Sequence, residues 1–216
     1  MTNPGALNLT ATPVSHSGSR RFVIVVDMQG DFVHADGALP VPGAQAIVAP
    51  MRDWLNALDP ALTAGVLLTF DTHQPEIYAG SPESKEFPIH CMKGTAGWES
   101  VLDASTIDPL IPIYTLEKGV FDMWAEPGLS MEPARGAQGE PTGRDSFFSD
   151  LAGSGVETVT VVGVAADYCV RWAMEGLLAR GFRVDLPASL TRGIGKDAGE
   201  VIAELGEEHR LVALAP

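Results

Sequence analysis

Short runs of aliphatic and β-branched residues alternate along the chain with longer stretches in which apolar positions return every three or four residues. The runs at 22–26, 65–70, 111–116, 157–162 and 182–186 read as strands, with one more at 210–214. Segments 44–58, 145–151, 167–180 and 196–205 read as helices. The strand runs show little inside–outside alternation, the pattern of strands covered on both faces in a parallel sheet. Strand–helix alternation of this kind predicts an α/β fold, a three-layer α/β/α sandwich around a mainly parallel, doubly wound sheet. No internal repeat or domain boundary stands out. Residues 20–216 read as one domain behind a loose polar tail at 1–19.

Segment 125–145 departs from this economy. It carries Pro127, Pro133, Pro141 and four glycines with almost no apolar periodicity. It is longer than an ordinary connection in this class, and is expected as a mobile surface insertion, with a lid or an oligomer contact as alternatives.

Composition narrows the partners. With 216 residues the chain suffices for one domain with a sizeable core. Asp and Glu outnumber Lys and Arg by 28 to 14, a formal charge of −14. Such a surface repels phosphate backbones and anionic membranes, so neither nucleic acid nor membrane is an expected partner. The longest apolar runs, 22–26 and 159–166, are far short of the ~18 residues of a membrane span. Residues 1–19 have neither a basic start nor an apolar stretch, so no secretory signal is expected. Two cysteines, Cys91 and Cys169, are too few for a disulfide framework, and a reduced, cytoplasmic protein is the expectation.

Open parallel sheets bind ligands beyond the carboxyl ends of their strands. Asp27 follows the first strand, Asp71 the second and Lys118 the third; the turn after the fourth leads to Cys169. Any one of them could be an ordinary cap or turn residue. Four together predict one crevice. Cys169 lies near a helix start, where an anion is favoured, and a nearby Lys118 ammonium favours the thiolate further. Cys169 then reads as a nucleophile, with Asp27 carrying its proton to a leaving amine. The N–H groups of Ala165 and Cys169 are placed to hold an oxyanion. Cys91 has no such setting and is expected to be structural, the common fate of a lone thiol.

A second cluster starts at Asp71-Thr72-His73, where an extended chain points a carboxylate and an imidazole the same way. Ile89-His90-Cys91 brings back another imidazole. These groups suit Zn²⁺, Fe²⁺ or Mn²⁺, or else the histidines serve as loop hydrogen-bonders.

These residues resemble the isochorismatase-like cysteine hydrolases, and among them the nicotinamidases. The resemblance runs through Asp27-Met28-Gln29-Gly30-Asp31-Phe32, Asp71-Thr72-His73 and Phe87-Pro88-Ile89-His90-Cys91-Met92-Lys93-Gly94-Thr95. It continues in Glu117-Lys118-Gly119, in Gly163-Val164-Ala165-Ala166-Asp167-Tyr168-Cys169-Val170 and in Thr191-Arg192-Gly193. It implies a triad of Asp27, Lys118 and Cys169 and a cis peptide between Val164 and Ala165 that aims the Ala165 N–H into the oxyanion hole. It implies a metal at Asp71, His73 and His90, zinc foremost with iron or manganese as alternatives, that receives a pyridine nitrogen. Phe32 and Phe87 fall on the aromatic walls of the ring site. A third histidine common among nicotinamidases is missing, and Glu83 resembles the acidic ligand that some members use instead. The insertion at 125–145 also exceeds the family's habit.

Hydrolysis of nicotinamide through a cysteine thioester is therefore the expected activity. Alternatives are the same chemistry on another small amide (pyrazinamide-like, maleamate or ureido), vinyl-ether hydrolysis of isochorismate, or a catalytically silent interaction module of the same fold. A Gly-rich phosphate loop is absent from the first strand's end, where Asp27-Met28-Gln29 stands. The resemblance further implies a homo-oligomer, a dimer or tetramer.

Overall fold

The structure is a computed structural model that describes residues 20–209, with side chains through 206. The expected tail at 1–19 and the expected strand at 210–214 lie outside the described residues. The central strand is β1 (Arg21–Val26), which pairs in parallel with β2 (Thr63–Asp71) on one side and β6 (Thr158–Val164) on the other. β3 (Ile113–Lys118) continues the parallel sheet beyond β2. Beyond β6, β7 (Arg183–Asp185) and β8 (Thr191–Arg192) succeed one another along the same edge. The order reverses between β1 and β6, and a crevice opens at such a switch point.

The alternation of β1 explains the three layers. Phe22, Ile24 and Val26 point into one core with Phe148, Met174, Leu177, Val201 and Leu205. Those partners come from α4 (Arg144–Gly153), α5 (Cys169–Ala179) and α6 (Ala198–His209). Val23 and Val25 point the other way, against Ile47, Met51 and Leu55 of α2 (Ala44–Asn56). Full burial on both faces accounts for the unbroken apolar runs. Two one-turn helices, α1 (Gly30–Val33) and α3 (Pro75–Tyr78), follow β1 and β2 and lie too short for periodicity to show.

The segment at 125–145 is built differently from the expected mobile insertion. It contains β4 (Ser130–Pro133) and β5 (Thr142–Gly143), which add to the sheet as antiparallel edge strands beside β3. Met131 is buried, and the segment's exit at Arg144 is buried too. Four-residue and two-residue strands carry almost no sequence pattern; the Tyr114–Pro133 and Thr115–Glu132 pairings order β4, and the Met131–Thr142 pairing orders β5.

Candidate active site

Asp27, Asp71 and Lys118 all stand at the carboxyl ends of their strands, and Cys169 is the first residue of α5. Lys118 Nζ lies 2.8 Å from Asp27 Oδ2, 3.4 Å from Cys169 Sγ and 3.4 Å from Asp71 Oδ1. The crevice predicted from four positions is thus present around one buried ammonium. Lys118 is 2% exposed. Burial alone would discharge it, but Asp27 and Asp71 hold its pKa well above the ordinary value. Burial pushes the Cys169 thiol up, Lys118 opposes this, and Asp27 and Asp71 reinforce it. Lys118 therefore acts on sulfur in the expected direction, against burial and two carboxylates, and Asp27 is the carboxylate proposed below to take the thiol proton.

Asp27 has φ +49°, in the left-handed region that a residue with a side chain rarely occupies. Thr69 of β2 secures it twice: the Asp27 N–H donates to Thr69 Oγ1 at 3.2 Å, and the Thr69 hydroxyl donates to Asp27 Oδ1 at 2.5 Å. Gln29 does the same for Asp71. Its side chain accepts the Asp71 N–H at 2.8 Å and donates to the Asp71 carbonyl at 2.8 Å. Sequence reasoning missed both residues as supports. Thr69 looks like any strand threonine, and Gln29 stood in a quoted motif without a role.

Between β6 and α5 the Val164–Ala165 peptide is cis, as the resemblance implies. Gly163 before it has φ +118°, and a Cβ there would collide with Val26 O of β1. Among the described residues neither the Ala165 N–H nor the Cys169 N–H donates a hydrogen bond, which leaves both amides for an oxyanion. Cys91 is fully buried, and its thiol is raised far beyond the ordinary range, first by burial. Its thiol faces Gly97 O at 4.0 Å.

The second cluster assembles around Asp71 as well. Oδ2 faces His73 Nε2 at 3.1 Å and His90 Nε2 at 3.0 Å. Glu83, in a short 3-10 turn, brings Oε1 to 3.3 Å from His90 Nε2 and 3.7 Å from His73 Nε2. All four side chains are buried, and one ligand atom from each lies within 4.8 Å of the others. Two donors about 2.1 Å from one ion at a tetrahedral angle stand about 3.4 Å apart, the spacing seen here. His90 Nδ1 lies 2.8 Å from Pro88 O; donation there leaves the Nε2 lone pair turned inward. Glu83 Oε1 is buried without a hydrogen-bond partner. A cluster of inward lone pairs with an orphaned carboxylate oxygen fits a divalent cation.

Burial would lower both imidazoles, yet the hydrogen bonds to Asp71 and the Glu83 carboxylate beside them raise His73 to about 9 and His90 to about 10. Against burial, Lys118 and the imidazoles hold Asp71 well below the usual carboxylate range, and the imidazoles lower Glu83 too. Two protons or one divalent ion balance the same two carboxylates.

A cleft of about 1020 Å³ opens over Lys118, His73 and Glu83, walled by Phe121, Tyr168 and Trp172. The Phe87 ring meets Phe121 at 5.7 Å and Tyr168 at 5.4 Å between centroids. Phe32 is buried with its ring 5.2 Å from that of His90. Phe121 and Tyr168 were not singled out in the sequence, because aromatic residues after a strand or in a turn read as packing.

The chain is 31% identical over 182 residues to the nicotinamidase/pyrazinamidase of Mycobacterium tuberculosis, covering 82% of this chain and 89% of that protein. It is 25% identical over 222 residues to the nicotinamidase of Saccharomyces cerevisiae, covering 86% and 94%. Among solved structures it is similar to the pyrazinamidase of Pyrococcus horikoshii in complex with zinc, with a TM-score of 0.65 at 26% identity, over 90% of this chain and 99% of that one. No protein-family model matches the chain.

Proposed function

The chain belongs to the nicotinamidase/pyrazinamidase family, and from that membership we propose how its own residues carry out the family's reaction. The protein is a hydrolase of a carboxamide C–N bond, and the reaction is conversion of nicotinamide to nicotinate and ammonia. Cys169, Asp27 and Lys118 are proposed as the catalytic groups, and Asp71, His73, Glu83 and His90 as the ligands of one divalent transition metal, zinc foremost. The single observation that carries this reading is Lys118 Nζ within 3.4 Å of both Cys169 Sγ and Asp71 Oδ1, which makes the two clusters one site.

When bound, the metal supplies a Lewis-acidic anchor for the ring nitrogen of the substrate. Cys169 Sγ attacks the carboxamide carbon while Asp27 takes the thiol proton. Lys118 stabilises charge on sulfur during the transfer, and keeps Asp27 from standing as an unpaired buried carboxylate. The Ala165 and Cys169 N–H groups hold the oxyanion. As the C–N bond breaks, Asp27 returns the proton to nitrogen, ammonia leaves and an acyl thioester remains on Cys169. Water then attacks the thioester as Asp27 takes one of its protons; the C–S bond breaks, Asp27 passes that proton to the departing sulfur, and nicotinic acid leaves and loses its own proton to solvent as nicotinate.

The aromatic walls of the ring site are assigned to Phe32 and Phe87, joined by Phe121 and Tyr168, which line the cleft. A cytoplasmic location and a homo-oligomeric state, dimer or tetramer, complete the reading; among the described residues no helix is long and apolar enough to cross a membrane. The experiment is acid quench during turnover of nicotinamide followed by intact-mass measurement. A nicotinoyl adduct that maps to Cys169 is expected. Full turnover with no adduct under any quench, and undiminished turnover in Cys169→Ala, would overturn the thioester.

A further inference from the structure

The peptide group that joins Lys118 to Gly119 is gripped at both ends. Its carbonyl accepts the Thr72 N–H at 2.7 Å, and its N–H donates to Glu126 Oε2 at 2.7 Å. The first bond belongs to the parallel register of β2 and β3, in which Asp71 stands opposite Lys118. The second comes from elsewhere in the chain: Glu126 lies at the entry to the segment that departs from family habit.

Glu126 is itself fixed by the exit of that segment. Arg144 is buried, and its Nη1 donates to the carbonyl of Glu126 at 2.7 Å and to that of Met123. The guanidinium rests 5.6 Å from the centre of the Trp124 ring and pairs with Asp145 at 3.0 Å. Trp124 in turn donates its indole N–H to Trp172 O at 3.1 Å and to Ala173 O at 3.3 Å on α5. A buried guanidinium bonded to two carbonyls, an acid and a ring holds one backbone geometry.

We propose that Glu126, anchored by Arg144, is a positioning residue that sets the Lys118–Gly119 peptide and through it the reach of the Lys118 ammonium to Cys169. Lys118 Nζ must satisfy Asp27, Asp71 and Cys169 from one rotamer, so tilt of its peptide moves the ammonium against all three. The inference rests on Lys118 as the catalytic cation of the proposed site.

Alkylation of Cys169 by iodoacetamide at neutral pH tests it without any substrate, so the result stands whether or not nicotinamide is hydrolysed. Glu126→Ala removes the acceptor and is expected to slow alkylation on the order of tenfold, the worth of one hydrogen bond to a charged group. Glu126→Gln retains an acceptor oxygen and is expected to stay close to wild type. The direction discriminates. Loss of a negative charge alone would favour the thiolate and speed alkylation, and a looser cleft wall would speed it by access. Where Glu126→Ala does not fold, Glu126→Leu takes its place at matched length. Equal rates in wild type, Ala and Gln, faster alkylation in Ala, or equal slowing in Ala and Gln would each overturn the proposal. Slowing confined to Ala or Leu, with kcat on nicotinamide lowered in parallel, supports it.

Discussion

Asp71 and Lys118 face each other in register across β2 and β3, with Nζ 3.4 Å from Oδ1. Asp71 therefore divides its carboxylate: one oxygen faces the Lys118 ammonium, and the other faces both imidazoles. Neither cluster can change at Asp71 without the other.

Two substitutions across this pair should move the Cys169 alkylation profile in opposite directions. Lys118 is the group that opposes the rise of the thiol pKa, so Lys118→Met should shift the profile to higher pH. Asp71 reinforces that rise, so Asp71→Asn, compared with wild type after chelation of both, should shift it to lower pH. Lys118→Met should also lower thermal stability, since it strands Asp27; breaking a buried pair costs about 3–5 kcal/mol. Shifts of the same sign would show that these charges do not control the thiol.

Cys169→Ala should abolish turnover while metal content and fold persist. Cys91→Ala should keep most activity, because that thiol is buried near Gly97 O, apart from the proposed catalytic groups. Steady-state ammonia release decides between them, and residual turnover in Cys169→Ala within about tenfold of wild type would remove Cys169 as the nucleophile.

Thr69→Val keeps the shape of a buried strand residue and deletes the hydroxyl that holds Asp27 in its left-handed conformation. Turnover should fall about tenfold, the scale of one hydrogen bond to a carboxylate, while metal content stays at the wild-type level. An unchanged kcat would show that Lys118 alone suffices to place Asp27.

The proposed metal-ligand set has its own signature. Purified protein should hold close to one transition metal per chain. His73→Ala, His90→Ala and Glu83→Ala should each lower metal affinity by at least about tenfold, since loss of a group that only supports a ligand already does that much. Elemental analysis after dialysis is the measurement. Full occupancy in Glu83→Ala alone would return Glu83 to a structural acid.

The sheet was legible because β1, β2 and β6 are buried on both faces, and burial writes itself as unbroken apolar runs. The site was legible because a parallel sheet collects its strand ends, so Asp27, Asp71, Lys118 and Cys169 needed only correct strand assignment. What escaped depends on contacts between distant residues. β4 and β5 are too short for a period, and their order comes from pairing with β3. Thr69 and Gln29 act 42 residues away on Asp27 and Asp71. The opposition of burial and two carboxylates to the Lys118 ammonium at Cys169 likewise depends on distances that the sequence does not give.

Ammonia and nicotinate release from nicotinamide, by metal-loaded and by chelator-stripped protein, tests the central claim most directly. Loaded protein should release the two products in equal amounts. Stripping should reduce the rate at least about a hundredfold, with restoration on return of zinc and with Cys169 still open to alkylation. Stripped protein that hydrolyses nicotinamide at the full rate would contradict the account, as would loaded protein inert on nicotinamide yet active on another small amide.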